Sequence, residues 1–493
     1  MNTKDFLDDV CCEVKYKSAN KFILDELEGH IEDLKNDNLC KGYTEVQAEE
    51  KAVEQMGNAK EIGKRLNKIH KPKLDLITLI FGFIFICFGG QFLSLFYPNE
   101  YWNYQGTSYW VTHYRLTYIE LIWGIILSVL IYFYDYRKIC KHSKFLYVLA
   151  TFLNIVAYCR GIRANGNIVY GLYPFTQTSP TVISIPLFIV AFAGFIKDIN
   201  NESKINITMS EGRKINYNLV KVVILSFVSI VTSLMINFVS GFLVVMVYTI
   251  ISVRELLKLK QIKNIFRLIG TTIVIFLLLS TIICLIPTRY AHSLDKYTSA
   301  FWVGVDTVGE RRIDFVRKEI FKSAQLFGQA DLNGISLKDE QGYINSIQEY
   351  FAINGVFSFL GILSKYGWIS SFCLIVILLL FNIKLIISTI KIKDTYGKLI
   401  MIGITSLYVV QTVCNLGMNF GIISVAEFNL PLISGGMSTF IMNLLCLGLI
   451  LGIYRRKDIN FEEPKKSKLL AKIENLIFKK VEDSEERGNN ICQ

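Results

Sequence analysis

Residues 369–390 read ISSFCLIVILLLFNIKLIISTI, and this run decides the fold. A bilayer demands about 20 consecutive, mainly apolar residues from a spanning helix, and the run supplies them. Nine further stretches read the same way: Leu76–Phe96, Leu121–Tyr134, Phe145–Cys159, Thr181–Ile196, Val222–Met235, Gly241–Val253, Leu268–Pro287, Leu399–Leu416 and Met437–Tyr454. The shorter ones gain length from mildly polar flanks. A buried globular helix can be this apolar, but a chain of 493 residues seldom sets so many in series. The expected fold is all-α: a polytopic membrane protein of about ten transmembrane helices, with a small cytoplasmic helical domain at the N-terminus.

The basic residues orient these spans. A formal charge of +11 would suit a nucleic-acid binder, but its distribution excludes that reading. Arg137, Lys138, Lys141 and Lys144 fill one short loop, and Arg254, Lys258, Lys260, Lys263 and Arg267 fill another. Lys391, Lys393 and Lys398 occupy a third, and Arg455, Arg456 and Lys457 follow the last span. Placed on one side, the clusters obey the positive-inside rule. No signal peptide precedes the charged N-terminal region, so both termini are expected in the cytoplasm and the long loop 288–350 outside. Arg160 and Arg163 then fall outside, against the trend. That outer loop sets charged residues at helical spacing over Ile313–Phe327, which predicts short helices there, and it has no cysteine, so no disulfide framework is expected. Cys11–Cys12 lacks a second pair or a histidine at zinc-ligand spacing, and no metal site is read from the sequence.

Three regions follow: a helical domain over 1–73, a membrane core over 74–457 and a tail over 458–493. In the first, Phe22, Leu24, Leu27 and Ile31 recur on one helical face among acidic residues. Gly42 ends that helix, and Thr44 with Gln47 opens the next as a capping box. Val46, Ala52, Val53 and Met56 give its apolar face; a third helix over Ala59–Ile69 presents Ile62, Leu66 and Ile69. In the tail, Leu469, Leu470, Ile473, Leu476, Ile477 and Phe478 lie among lysines, the pattern of a basic amphipathic helix on an anionic leaflet. The run Leu27–Asp33 with Gly42, Ala48, Glu49, Ala52, Met56-Gly57, Ile62-Gly63, Leu66 and His70 resembles the small prefix domain found before permease-like and cell-envelope membrane proteins.

The core carries a more specific resemblance. Asn415-Leu416-Gly417-Met418, then Gly421, then Leu430-Pro431-Leu432-Ile433-Ser434-Gly435-Gly436-Met437-Ser438 resembles the last two spans of the SEDS family, the shape, elongation, division and sporulation proteins. Arg455-Arg456 closes the last span as in that family. Asn165-Gly166 through Phe175, Gln177 and Ser179 is similar to the family's loop between the third and fourth spans. Physics gives the glycines and Pro431 a reason of their own. They break helical structure at membrane depth, which is tolerated where freed backbone groups face protein or a wet cavity. Asn415 and Ser434 are placed to satisfy some of those groups.

The resemblance implies glycan-strand polymerisation on lipid-linked cell-wall precursors, beside a penicillin-binding transpeptidase, in the bacterial cytoplasmic membrane. It also implies a catalytic aspartate after the outer loop, with a divalent cation on the diphosphate where the chemistry is retained. This chain departs at those points. Val356 stands in the aspartate's place, Ser364 and Lys365 replace paired glutamates, and Thr178, Pro180 and Ile183 replace a proline, a glutamate and a lysine. Asn237 stands where an acid is usual. Valine cannot accept a proton from a sugar hydroxyl. Glu349 is the nearest fallback base, and Arg160, Arg163, Asn165 and Gln177 are the candidate diphosphate-binding residues. Asn415, Gly417, Pro431, Ser434, Gly435 and Gly436 form the core motif. Three readings stand: a rod-shape or division-type protein of wall synthesis with weakened or absent polymerase activity, an active glycosyltransferase with a relocated acid, and a noncatalytic scaffold or lipid-linked precursor transporter.

Overall fold

The computed structural model describes residues 2–15, 17–70, 72–88, 122–164, 167–169, 180–206, 213–236, 238–258, 262–284, 308–332, 337–338, 344–345, 357–423, 428–434 and 437–458. Two compact units emerge, one from Met1–Leu74 with Arg455–Gln493 and one from Asp75–Tyr454.

Among its described residues the first unit holds four helices where the periodicity over 1–73 predicts three: α1 (Thr3–Glu13), α2 (Lys17–Cys40), α3 (Glu45–Met56) and α4 (Ala59–His70). The added α1 is acidic on its exposed side but buries Phe6, Leu7 and Val10, too short a stripe to stand out by period alone. These join Ile23, Leu27, Ile31, Ala52, Val53 and Ala59 in one apolar core. Asn2 caps α1, accepting from the Lys4 N–H at 3.3 Å. Gln47 accepts from the Thr44 N–H at 3.3 Å in the capping box that opens α3. Val46 departs from its expected apolar face: it is 70% exposed in the first turn of α3, ahead of the covered stripe at Ala48, Ala52 and Val53. Within the same unit the Lys73 N–H donates to the Arg455 carbonyl at 3.1 Å, and Lys73 Nζ pairs with Asp458 at 2.8 Å. The tail beyond residue 458 lies outside the described residues.

The second unit is a helical bundle. Its elements are α5 (Leu76–Phe88), α6 (Ile122–Phe133), α7 (Tyr136–Cys140), α8 (Ser143–Arg160), α9 (Pro180–Asn206), α10 (Arg213–Leu234), α11 (Phe238–Lys258) and α12 (Ile262–Cys284). There follow α13 (Val308–Ser323), α14 (Ser358–Ile390), α15 (Thr395–Asn419) and α16 (Met437–Arg455). Each apolar stretch of the sequence coincides, over its described residues, with one of these helices. Counted over the described residues alone, three of them, α11, α14 and α15, are long and apolar enough to cross a membrane. The chain is therefore an all-α, multi-pass membrane protein. Two short antiparallel hairpins are added to the helices. One pairs β1 (Ile162–Ala164) with β2 (Asn167–Val169); the other pairs β3 (Leu337–Lys338) with β4 (Ile344–Asn345).

α15 is the central post, packed by α9, α11 and α14; α8 lies on α9, while α10 and α12 lie on α11. Large rings fill the centre: Phe188, Phe381, Tyr396 and Tyr408 are fully buried, and Phe192 stacks on Tyr248 at 4.0 Å. α14 is two-faced. Leu378, Phe381 and Leu385 turn inward, whereas Phe372, Leu379, Leu380 and Ile383 are left for lipid. The helical spacing read over Ile313–Phe327 is realised as α13, which stops at Ser323. Residues 324–332 leave the helix because their backbone groups are used elsewhere, at a break in α14.

Candidate functional site

The motif of residues 415–434 builds the polar centre of the bundle. One face of α15 sets Tyr408, Thr412, Asn415 and Asn419 at turn spacing, all buried. Polar side chains in a membrane face the bundle interior because hydrocarbon offers them no partner. The Tyr408 hydroxyl donates to the Asn443 carbonyl at 2.6 Å, and Asn382 Nδ2 donates to Thr412 Oγ1 at 3.3 Å. Asn415 Nδ2 donates to the Phe428 carbonyl, and Asn415 Oδ1 accepts from Asn419 Nδ2 at 2.9 Å. Pro431 and Leu432 then turn the chain: the Ile433 N–H reaches the Leu430 carbonyl at 3.3 Å, and Leu432 sits at φ 60°. That conformation is uncommon for a residue with a branched side chain. Ser434 Oγ holds the turn, accepting from the Leu430 N–H at 2.7 Å and from the Ser358 hydroxyl at 3.3 Å. Gly417 is helical, and a Cβ there would meet Ile423 Cδ1 at 2.9 Å.

α15 ends in a Schellman closure. The Ile422 N–H donates to the Gly417 carbonyl at 2.8 Å and the Gly421 N–H to the Met418 carbonyl at 3.1 Å, with Gly421 at φ 77°. Arg317 of α13 joins the same helix end. Its Nη1 donates to the Met418 carbonyl at 3.0 Å, while its guanidinium also pairs with Asp314. A cation on the negative pole of a helix is favourable. Burial pushes the Arg317 guanidinium below its ordinary pKa, yet arginine stays charged in proteins. Glycine at 421 leaves room for this contact, since a Cβ would lie 2.6 Å from Arg317 Nη1. Val316 and Ile320 seal the dock against Phe357, Phe359, Leu360, Leu363 and Met418.

The second fastening is at Gly367, where α14 breaks at φ 84°. A break strands backbone groups that must then find partners outside the helix. Here the segment after α13 supplies partners. The Trp368 N–H donates to the Gln325 carbonyl at 3.0 Å, the Ile369 N–H to the Leu326 carbonyl at 3.2 Å, and the Ala330 N–H to the Ser364 carbonyl at 2.8 Å.

A third constellation is absent from the sequence reading. Asp75, just before α5, accepts from Lys384 Nζ of α14 at 2.8 and 2.7 Å, from the Thr78 hydroxyl at 2.8 Å and from the Ser388 hydroxyl at 3.2 Å. Lys384 Nζ also lies 5.1 Å from the Tyr454 ring centre. Burial pushes the Asp75 carboxyl up, but the Lys384 and Thr78 donors outweigh it and hold it below the usual carboxylate range. The available signal was the one lysine inside an otherwise apolar span, a functional marker by default.

Of the residues named for diphosphate binding, Arg160 is exposed in the last turn of α8. The backbone of Arg163 lies in β1, pairing with Ile168. Asn165, Gln177, Glu349, Val356, Asn237, Gly435 and Gly436 lie outside the described residues. Asn-Gly between two extended runs is the strongest short signal for a hairpin, and β1 and β2 pair on either side of Asn165 and Gly166. Ile183 is exposed near the start of α9. Around the polar face of α15 the donors are amides, hydroxyls and carbonyls. Among the described residues no three His, Cys, Asp or Glu side chains converge as metal ligands. Among the described residues this polar face carries no carboxylate to hold a divalent cation.

Comparison with known proteins names the architecture. A "Probable peptidoglycan glycosyltransferase FtsW" of Enterococcus hirae is 26% identical over 38% of this chain and 47% of its own length. A protein of the same description from Bacillus subtilis is 31% identical over 27% of this chain and 40% of its own. The B. subtilis "Stage V sporulation protein E" is 34% identical over 16% of this chain and 22% of its own. The chain thus spans less than half the length of these curated relatives. A solved structure described as "Structural coordination of polymerization and crosslinking by a peptidoglycan synthase complex" covers 78% of this chain and 98% of its own, with a TM-score of 0.57 and 18% identity. A variant of the Thermus thermophilus rod shape determining protein RodA covers 79% of this chain and 99% of its own, with a TM-score of 0.50 and 16% identity. At such identity these two structures speak for the fold alone. Residues 76–459 match the cell cycle protein family of FtsW, RodA and SpoVE. With more than half its length in that match and the family's bundle around its motif, the chain belongs to the FtsW/RodA/SpoVE family of cell-wall and division membrane proteins.

Proposed function

We propose that this protein serves peptidoglycan synthesis as a rod-shape or division-type membrane component with weakened or absent glycan polymerase activity. One observation carries the reading: from Gly355 to Gly367 the sequence contains no Asp or Glu. The resemblance assigns the catalytic carboxylate to Val356 within that stretch, and the adjoining Phe357, Phe359, Leu360 and Leu363 are buried together against α13. A glycosyl transfer needs a base on the attacking hydroxyl and charge stabilisation at the leaving diphosphate. Lipid-linked precursor and a penicillin-binding transpeptidase are the partners this role implies. Arg160, Arg163, Asn165 and Gln177 are the groups proposed to meet the diphosphate, and Glu349 the fallback base for a retained reaction.

Purified protein, alone and with a transpeptidase, is expected to yield no long glycan strands from lipid-linked disaccharide. Long strands would overturn the proposal. Glu349→Gln then becomes the next variant, because it removes the charge at nearly constant shape. Unchanged polymerisation in it would eliminate Glu349 as the base.

A further inference from the structure

The turn at Gln325–Gly328 stands level with the start of the unbroken part of α14. α14 runs from Trp368 to Ile390 without a further break. These 23 residues span about 34 Å at 1.5 Å per residue, close to the roughly 30 Å hydrocarbon core. Lys391 and Lys393 mark one end, so Trp368 stands at the opposite interface. Lys365, Tyr366 and Trp368 are the residue types that settle at such a boundary. The bonds from Trp368 and Ile369 to the Gln325 and Leu326 carbonyls hold the turn's backbone at that level.

Two large apolar side chains project from the turn. Leu326 is 69% exposed and Phe327 68%, and Gly328 at φ 89° carries the chain back. The exposed stripe of α14 begins at Ile369, the residue whose N–H holds Leu326, and continues through Phe372, Val376, Leu379 and Ile383. The turn therefore continues the lipid-facing surface of a spanning helix. The geometry points to a bilayer anchor: Leu326 and Phe327 enter the interfacial layer of the leaflet and fasten α13 to the membrane surface. The occupant is phospholipid, because depth and continuity with the α14 stripe place lipid beside the turn.

Photo-crosslinking tests this on the full-length chain in nanodiscs of phosphatidylglycerol and phosphatidylethanolamine, and in native membranes. Phe327→p-benzoylphenylalanine, and Leu326→p-benzoylphenylalanine as a second variant, place the probe where exposure keeps folding out of question. Phe372→p-benzoylphenylalanine on the lipid-facing stripe is the positive control. Lys318→p-benzoylphenylalanine on the exposed side of α13 is the negative one. The expected result is a phospholipid adduct at 327 and 326 in yield comparable with 372 and several-fold above 318. Absence of lipid adducts at both positions would overturn the anchor, as would crosslinks to a second copy of the chain or to another polypeptide in their place.

Discussion

Asp75 and Lys384 lie 309 positions apart and meet in a nearly closed polar cluster, where the environment sets the value of each charge. An ion pair taken out of water gains little over an apolar pair of the same shape, but removing one partner strands the other and costs about 3–5 kcal/mol. Asp75→Asn and Lys384→Met are each expected to lower stability on that scale. The double variant should lose less than the sum, because neither charge is then left alone. Thermal unfolding of the four proteins in one detergent measures the coupling; additive losses would show that the two groups do not depend on each other. The carboxyl is held below its usual range by its donors. Its contribution is thus complete above the unfolded carboxylate value of about 3.9 and fades as pH falls through the lower folded value. The stability gap between the parent and Asp75→Asn should hold from neutral pH to about pH 4 and narrow only in stronger acid.

At the scale of elements, α13 and its following segment are fastened twice, by Arg317 on the end of α15 and by backbone bonds to the break in α14. Gly367→Ala strikes the second fastening. The new Cβ would lie 2.6 Å from the Gln325 carbonyl oxygen and 2.8 Å from that of Leu326, in a backbone conformation at φ 84°. A loss of about 1–3 kcal/mol follows from such strain. Hydrogen exchange should quicken at the Trp368 and Ile369 amides and leave α15 protected; unaltered exchange at those two amides would sink this account. The break also shows why some elements were legible in the sequence and others were not. Apolar runs announce helices through composition, and Thr44 with Gln47 announces a helix start, because these signals are local. Nothing near Gly367 foretells that its stranded N–H groups will find carbonyls some forty residues earlier, so the spacing over Ile313–Phe327 overran the end of α13. The Asp75–Lys384 pair escaped for the same reason. Asn165-Gly166 is a local signal of another kind: an Asn-Gly pair is a hairpin marker in sequence, and the strands flanking it, β1 and β2, pair.

For the whole molecule, orientation and chemistry are separable questions. The basic loops favour a topology with both termini inside and 288–350 outside. In a background lacking exposed native thiols, Ser336→Cys (a position outside the described residues) should react with an impermeant reagent in intact cells, and labelling only after permeabilisation would reverse the orientation. The chemistry is probed most sharply by Val356→Asp, which is expected not to restore polymerisation. A catalytic carboxylate acts only where cations, orienting groups and a suitable pKa converge on the same transition state. The positions that the family resemblance pairs with it have changed together: Pro180 and Ile183 open α9, with Ile183 exposed, and Asn237 replaces an acid. The neighbouring Phe357, Phe359, Leu360 and Leu363 are buried and apolar. An aspartate introduced beside them without a partner should cost several kcal/mol, or take up a proton and lose the basicity it was meant to supply. Reduced folded yield with no glycan product is the expected pair of results. Yield and polymerisation must be measured on the same preparation, because a well-folded, active variant would mean that a single side chain separates this protein from a polymerase and that the rest of the site is intact.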